Sequence, residues 1–205
     1  MAYQKFKLNT LEESFNTKIL IEDFIPAVLP NFSVSEWFLQ ALDDNKWEQL
    51  ESKKAKSEFV INPVLKELHK QNRDKFTCFS GYEFSVDKQL ALNGYCDFIL
   101  SAIPRSPLIK VPVFCLVEAK KEGIGEGFGQ CGAEMFAAHL FNERHNNPQK
   151  IIYGCVTNAF TWAFLKLENN ILSIDPRYVP LTFAQPQPVL SVLQWIVDNI
   201  ETQKC

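Results

Sequence analysis

Apolar positions in this chain follow two rhythms, and each marks a different kind of element. Over residues 76–86, Tyr82, Phe84 and Val86 alternate with Gly81, Glu83 and Ser85, the period of a strand with one covered face. Asp87, Lys88 and Gln89 read as a polar turn into a second strand over 94–100. Pro104, Pro107 and Pro112 break the connection to a third strand, because proline has no ladder donor. That third strand carries the nearly unbroken run Val111, Val113, Phe114, Cys115, Leu116 and Val117, as expected where both faces are covered. From 128 to 141 the spacing of Phe128, Cys131, Met135, Phe136, Ala138 and Leu140 predicts a helix, which Asn146-Asn147-Pro148 ends. Residues 151–157 predict a further strand, 161–167 pairs back on it, and Asn169-Asn170 turns into 171–174.

Upstream, 53–65 reads as mostly helical, kinked or divided at Pro63, and 24–29 and 37–42 predict helical cover. At the other end, Leu190, Leu193, Ile196, Val197 and Ile200 put one apolar face on a final helix over 189–200. The expectation is an α/β chain in the order α-β-β-β-α-β, with a central mixed sheet flanked by helices. It reads as one domain over 1–205, with a core of about 50–168, a helical N-terminal extension and a C-terminal helix.

Polar residues inside this pattern carry the chemistry. Asp97 lies on the second strand; Glu118 and Lys120 follow directly on the buried third strand, two residues apart and hence on one face. A charged pair at a strand end is often only a solvated terminus. Here the charges continue a buried run, where an unpaired charge is costly, so they are expected to have partners. A neighbouring strand would bring Asp97 beside them, and two carboxylates with an ammonium suit a divalent cation and a phosphate.

Asp97, the triplet Glu118-Ala119-Lys120 and Gln130 on the following helix resemble the PD-(D/E)xK nuclease superfamily, whose fold is restriction-endonuclease-like. The resemblance covers about 58–167. Cys96 stands where the family's name has proline, and Glu134 where RecB-like branches have tyrosine. The resemblance implies a metal-dependent nuclease that hydrolyses DNA phosphodiester bonds. Asp97 and Glu118, with the Ala119 carbonyl, would bind Mg²⁺ or Mn²⁺. Lys120 would orient the attacking water or stabilise transition-state charge, and Gln130 would position lysine, water or phosphate. It also implies a further acidic ligand on the preceding helix, for which Glu58 is the candidate and an ordinary solvated glutamate the alternative. Glu134, one turn after Gln130, is expected to hydrogen-bond it.

Charge bears on the partner. With 24 acidic and 21 basic residues the net charge is −3, mildly acidic for a protein that grips DNA. Lys53, Lys54 and Lys56, with Lys121 and Arg105, form the expected DNA-contacting set; a solvated helix face of mixed charge is the plain alternative. Gly123, Gly125, Gly127 and Gly129 match neither the dinucleotide nor the P-loop spacing, and read as a flexible turn that lets backbone approach a phosphate. Six cysteines without a C-x-x-C pair argue against a zinc or disulfide framework, and a cysteine nucleophile with His139 or His145 has nothing to pair it. No segment reaches about 18 apolar residues, and the polar first ten lack a signal-peptide core, so a cytoplasmic protein with no membrane contact is expected. Two reading classes stand: a Mg²⁺-dependent DNA nuclease, with a homodimer expected if both strands are cut, and a catalytically silent member of the fold acting as a nucleic-acid-binding or protein-interaction module.

Overall fold

Helices and strands follow in the order α1 (Leu8–Phe15), β1 (Lys18–Ile21), α2 (Glu36–Asn45), α3 (Lys53–Lys56), α4 (Asn62–Gln71), β2 (Thr77–Glu83), β3 (Tyr95–Ser101), β4 (Val113–Ala119), α5 (Phe128–Arg144), β5 (Ile151–Thr157), β6 (Thr161–Glu168), β7 (Ile171–Ile174), β8 (Val179–Pro180) and α6 (Gln187–Thr202). The computed structural model describes residues 2–202. Its strands form one eight-stranded sheet ordered β1-β7-β6-β5-β4-β3-β2, with β8 beside β6. Strands β2, β3 and β4 pair antiparallel in sequence, whereas β4 and β5 pair parallel. A parallel neighbour needs a crossover, and α5 supplies it. The architecture is therefore mixed α/β, with an open sheet flanked by helices.

Every residue of β4 is buried, which is why its sequence shows no alternation. A bulge between β3 and β4 turns both Phe114 and Cys115 toward the same core. That core holds Phe38 and Leu42 of α2, Val64 and Leu68 of α4, and Leu193 and Ile196 of α6, around Trp162 and Phe164. The opposite face packs Leu11 of α1 and Cys131 and Met135 of α5 onto Leu116, Val156 and Leu172. Gly154 admits α5 closely: a Cβ there would lie 2.4 Å from the Met135 Sδ.

Three expectations are corrected or made specific. Residues 24–29 are irregular, not helical. Pro26 lies inside them and Pro30 follows, and the Phe24 and Ile25 N–H groups donate to the buried Asp175 carboxylate at 3.1 and 2.9 Å. The kink expected at Pro63 is a π-helical turn, Ser57–Ile61, between α3 and α4. The Phe59 carbonyl, to which Pro63 has no N–H to donate, accepts from the Asn45 side chain at 2.7 Å. The glycine segment is a 3-10 turn, Ile124–Gly127, leading directly into α5. Helix α1 and strand β1 go beyond the sequence reading. β1 is four residues long and largely exposed, and it is placed by parallel pairing with β7. Among the described residues, no helix is long and apolar enough to cross a membrane.

Candidate functional site

The antiparallel register of β3 on β4 sets Phe98 opposite Val117, so the next position on each strand brings Asp97 to Glu118. The two carboxyl groups are neighbours, both within reach of the Lys53 ammonium. Asp97 Oδ2 accepts the Ala119 N–H at 2.8 Å, standing in for a ladder carbonyl where the pairing ends. On the other side Lys120 N–H donates to the Thr157 carbonyl at 2.8 Å, so the ladder with β5 runs one residue past Ala119 and fixes the lysine backbone. Lys120 Nζ then lies 3.2 Å from Glu118 Oε1.

Helix α5 closes the cluster. Lys120 Nζ donates to Gln130 Oε1 at 2.9 Å, and Gln130 Nε2 donates to Glu134 Oε1 at 3.1 Å, one helical turn on. The glycines explain how the lysine stem passes. A Cβ at Gly127 would sit 2.9 Å from Lys120 Cε and 2.4 Å from Val156 Cγ1. At Gly129 it would sit 2.3 Å from the Phe6 carbonyl oxygen. These two positions are close-approach sites, which replaces the flexible-loop expectation. Beside them opens a cleft of about 660 Å³, with Lys120, Gly129 and Gln130 on one wall and Gln4, Lys7 and Asn9 on the other. Sequence reasoning missed this N-terminal wall, whose short polar segment carries no periodic signal.

The expected DNA-contacting set divides. Lys53 reaches the carboxylates themselves: its Nζ is 2.6 Å from Asp97 Oδ2 and 3.3 Å from Glu118 Oε1. Lys56 Nζ donates to the Lys121 carbonyl at 2.5 Å, tying α3 to the segment after β4. Lys121 itself is exposed beside Glu122. Lys54 pairs with Glu58 at 3.7 Å, with both side chains largely exposed. Glu58 is therefore not brought to Asp97 and Glu118; the π-helical turn buries Val60 and Ile61 and leaves Glu58 facing solvent. Arg105 lies in the loop joining β3 to β4, at the far end of both strands from the cluster. By strand rise that separation is roughly 15 Å or more.

Burial dominates the electrostatics. Glu118 is fully buried and its carboxyl is pushed up to about 7 by desolvation and the neighbouring Asp97 charge, against the pull of Lys53 and Lys120. Glu134, also fully buried, is held well above the ordinary carboxyl range by desolvation and by Glu118. Lys53 is partly desolvated, yet Glu118 and Asp97 outweigh that and hold its ammonium above the ordinary lysine value. One oxygen on each glutamate, Glu118 Oε2 and Glu134 Oε2, is buried with no hydrogen-bond partner. Such an orphan is costly unless something else occupies the spot. The nearby Cys96 and Cys131 thiols are pushed up by burial, which disfavours the thiolate a nucleophile needs, and His139 pairs with Glu143 on α5.

Chemically, this is a mixed-charge cluster of two neighbouring carboxylates, two ammonium groups and an amide relay, at a sheet end beside an open cleft. Among the described residues, no group of three or more His, Cys, Asp or Glu side chains is arranged to hold a metal ion. A metal here would rest on two carboxylates completed by a main-chain carbonyl. No protein-family model matches the chain, and no characterised protein is significantly similar to it.

Proposed function

We propose that the protein is a metal-dependent nuclease that hydrolyses DNA phosphodiester bonds, built on a restriction-endonuclease-like core. The observation that carries this reading is the convergence of Asp97, Glu118, Lys120 and Gln130 at one sheet end, beside an open cleft. The antiparallel β2–β3–β4 followed by α5 and a parallel β5 supports it as the α-β-β-β-α-β order expected of that core.

The donor set fits a hard divalent cation. Asp97 and Glu118 offer carboxylate oxygens and Ala119 its carbonyl, and Glu118 Oε2 is a buried acceptor without a partner. When bound, Mg²⁺ or Mn²⁺ supplies Lewis-acid chemistry to a phosphate and an incoming water. The chain's own groups do the rest. Lys120, at the cleft, faces the scissile phosphate and offsets negative charge gained in the transition state. Gln130 holds that ammonium, and Glu134, its carboxyl raised by burial, anchors Gln130. Lys54, Lys56 and Lys121 lie in or next to the segments that frame the cluster and contact the DNA backbone.

One observation favours the second reading, a catalytically silent nucleic-acid-binding or protein-interaction module. Both carboxylates already have cations: Lys53 bridges them and Lys120 contacts Glu118. In the nuclease reading the Lys53 ammonium is instead a counter-ion that a metal must displace. Asp97 Oδ2, with Lys53 and the Ala119 N–H, already uses both lone pairs.

Calorimetric titration of Mn²⁺ into the metal-free protein separates the two. One ion is expected to bind, Asp97→Asn to weaken it by about tenfold or more, and Lys53→Met to tighten it by about tenfold, the worth of a partly buried ion pair. Lys54→Met, which removes the same charge from an exposed side chain, is expected to change affinity by less than about twofold. No Mn²⁺ binding, or binding indifferent to Asp97→Asn, would favour the silent module.

A further inference from the structure

A second cleft, of about 410 Å³, lies between α2 and α4 and is lined by Trp37, Lys66, His69, Lys70 and Arg73. It is separate from the carboxylate cluster, since Lys66 follows Lys53 by a stretch of helix roughly 20 Å long. In a chain of net charge −3 its lining contains no acid. Among the described residues, Lys66, Lys70 and Arg73 have no ion-pair partner.

The acid within α4 is turned away. Glu67 is fully buried and accepts from the Ser35 backbone N–H and hydroxyl, both at 2.8 Å. Asp74, next to Arg73, does not line the cleft. A solvated helix face would interleave its charges; this one sends its carboxylate inward and leaves three cations uncompensated. The same bonds tie the two walls of the cleft together. Glu67 pins Ser35, the N-cap of α2, to α4, and Gln71 Nε2 donates to the Ser33 carbonyl at 2.6 Å. Trp37 is thereby held at the first turn of α2, 40% exposed, with the Lys66 and Lys70 ammonium groups 4.8 and 5.6 Å from its ring centroid.

We propose that this cleft binds one nucleotide unit of single-stranded nucleic acid, its base against the Trp37 indole and its phosphates with Lys66, Lys70 and Arg73. A phosphate alone needs no indole, and an acidic side chain carries no aromatic face of its own to meet one. An unpaired nucleotide brings both groups in one unit, and a base face is free to stack only outside a duplex. The site is independent of cleavage and would serve a nuclease or a silent binding module equally.

The test is fluorescence anisotropy of a labelled oligothymidylate and of a duplex of equal length, with EDTA present so that no cutting occurs. Trp37→Ala is expected to weaken single-strand binding about tenfold and leave duplex binding within about twofold, while Trp37→Phe keeps most of the affinity. Arg73→Gln is expected to lower the slope of log affinity against log salt by about 0.7. Unchanged single-strand binding in Trp37→Ala would overturn the proposal, as would equal weakening for the duplex or no oligonucleotide binding at all. Displacement of the oligonucleotide by polyglutamate at matched charge would overturn it in favour of an acidic protein partner. Because no metal is present, each outcome is separable from the fate of the nuclease reading.

Discussion

Alanine at position 120 is expected to slow metal-dependent DNA cleavage by a factor on the order of 10²–10³, the usual cost of removing one group that stabilises transition-state charge. Lys120 Nζ is one of the two ammonium groups on Glu118, and it lines the open cleft while Lys53 bridges the carboxylates. Its removal leaves Asp97 and Glu118 with Lys53, so the site keeps a cation and the fold keeps its pairing. Single-turnover rates and Mn²⁺ affinity should therefore separate, with the rate falling and the affinity held or slightly raised. Gln130→Ala is expected to cost less, because it acts through the lysine it holds. If Lys120→Ala cleaves at the wild-type rate, the lysine has no place in the chemistry.

Glu118→Gln is expected to raise stability at pH 8 in EDTA and to flatten its dependence on pH. Glu118 is packed with Asp97, Lys53 and Lys120, and burial with the Asp97 charge carries its carboxyl from 4.5 to about 7 in the folded protein. An acid raised on folding holds its proton more tightly when folded. Its contribution is fully present below 4.5 and is lost as pH rises through about 7. Across that window the change is on the order of 3 kcal/mol. Glu134, raised by burial and by Glu118, adds in the same direction. Glutamine mimics the protonated acid and removes the Glu118 part, leaving that of Glu134. Urea unfolding at pH 5 and pH 8 checks this: wild type should lose stability between the two and Glu118→Gln should lose less. An equal loss in both would show that Glu118 does not titrate in this range. The same substitution should abolish Mn²⁺ binding, so stability and function oppose each other at this residue.

Much of the sheet was legible because its signals are local. The unbroken apolar run of β4, the helical spacing of α5 and the Asn169-Asn170 turn all follow from neighbouring residues. The pairing of Glu118 with Lys120 is legible for the same reason: alternation along one strand fixes it. What escaped depends on distant partners. Lys53 reads as one more DNA-binding lysine because nothing in its helix shows that its ammonium meets Asp97 across the sheet end. Glu58 is a ligand candidate only through the resemblance, and the π-helical turn leaves it facing solvent beside Lys54. Arg105 joins the site by charge alone, although its loop lies at the far end of β3 and β4. Residues 24–29 are apolar enough for a helix, but the Phe24 and Ile25 N–H groups go to Asp175, far away in sequence. Composition likewise missed the Trp37 cleft, since only the inward turn of Glu67 leaves its cations unbalanced.

The central claim is that this cluster performs metal-dependent phosphodiester hydrolysis, and the most direct measurement is DNA cleavage by the wild-type protein. Labelled single-stranded and duplex DNA would be incubated with Mg²⁺, with Mn²⁺ or with EDTA. The account predicts cutting with either metal, none with EDTA, and none from Asp97→Asn protein that remains folded. Intact DNA under every condition, or cutting that persists in EDTA or in the variant, would contradict it.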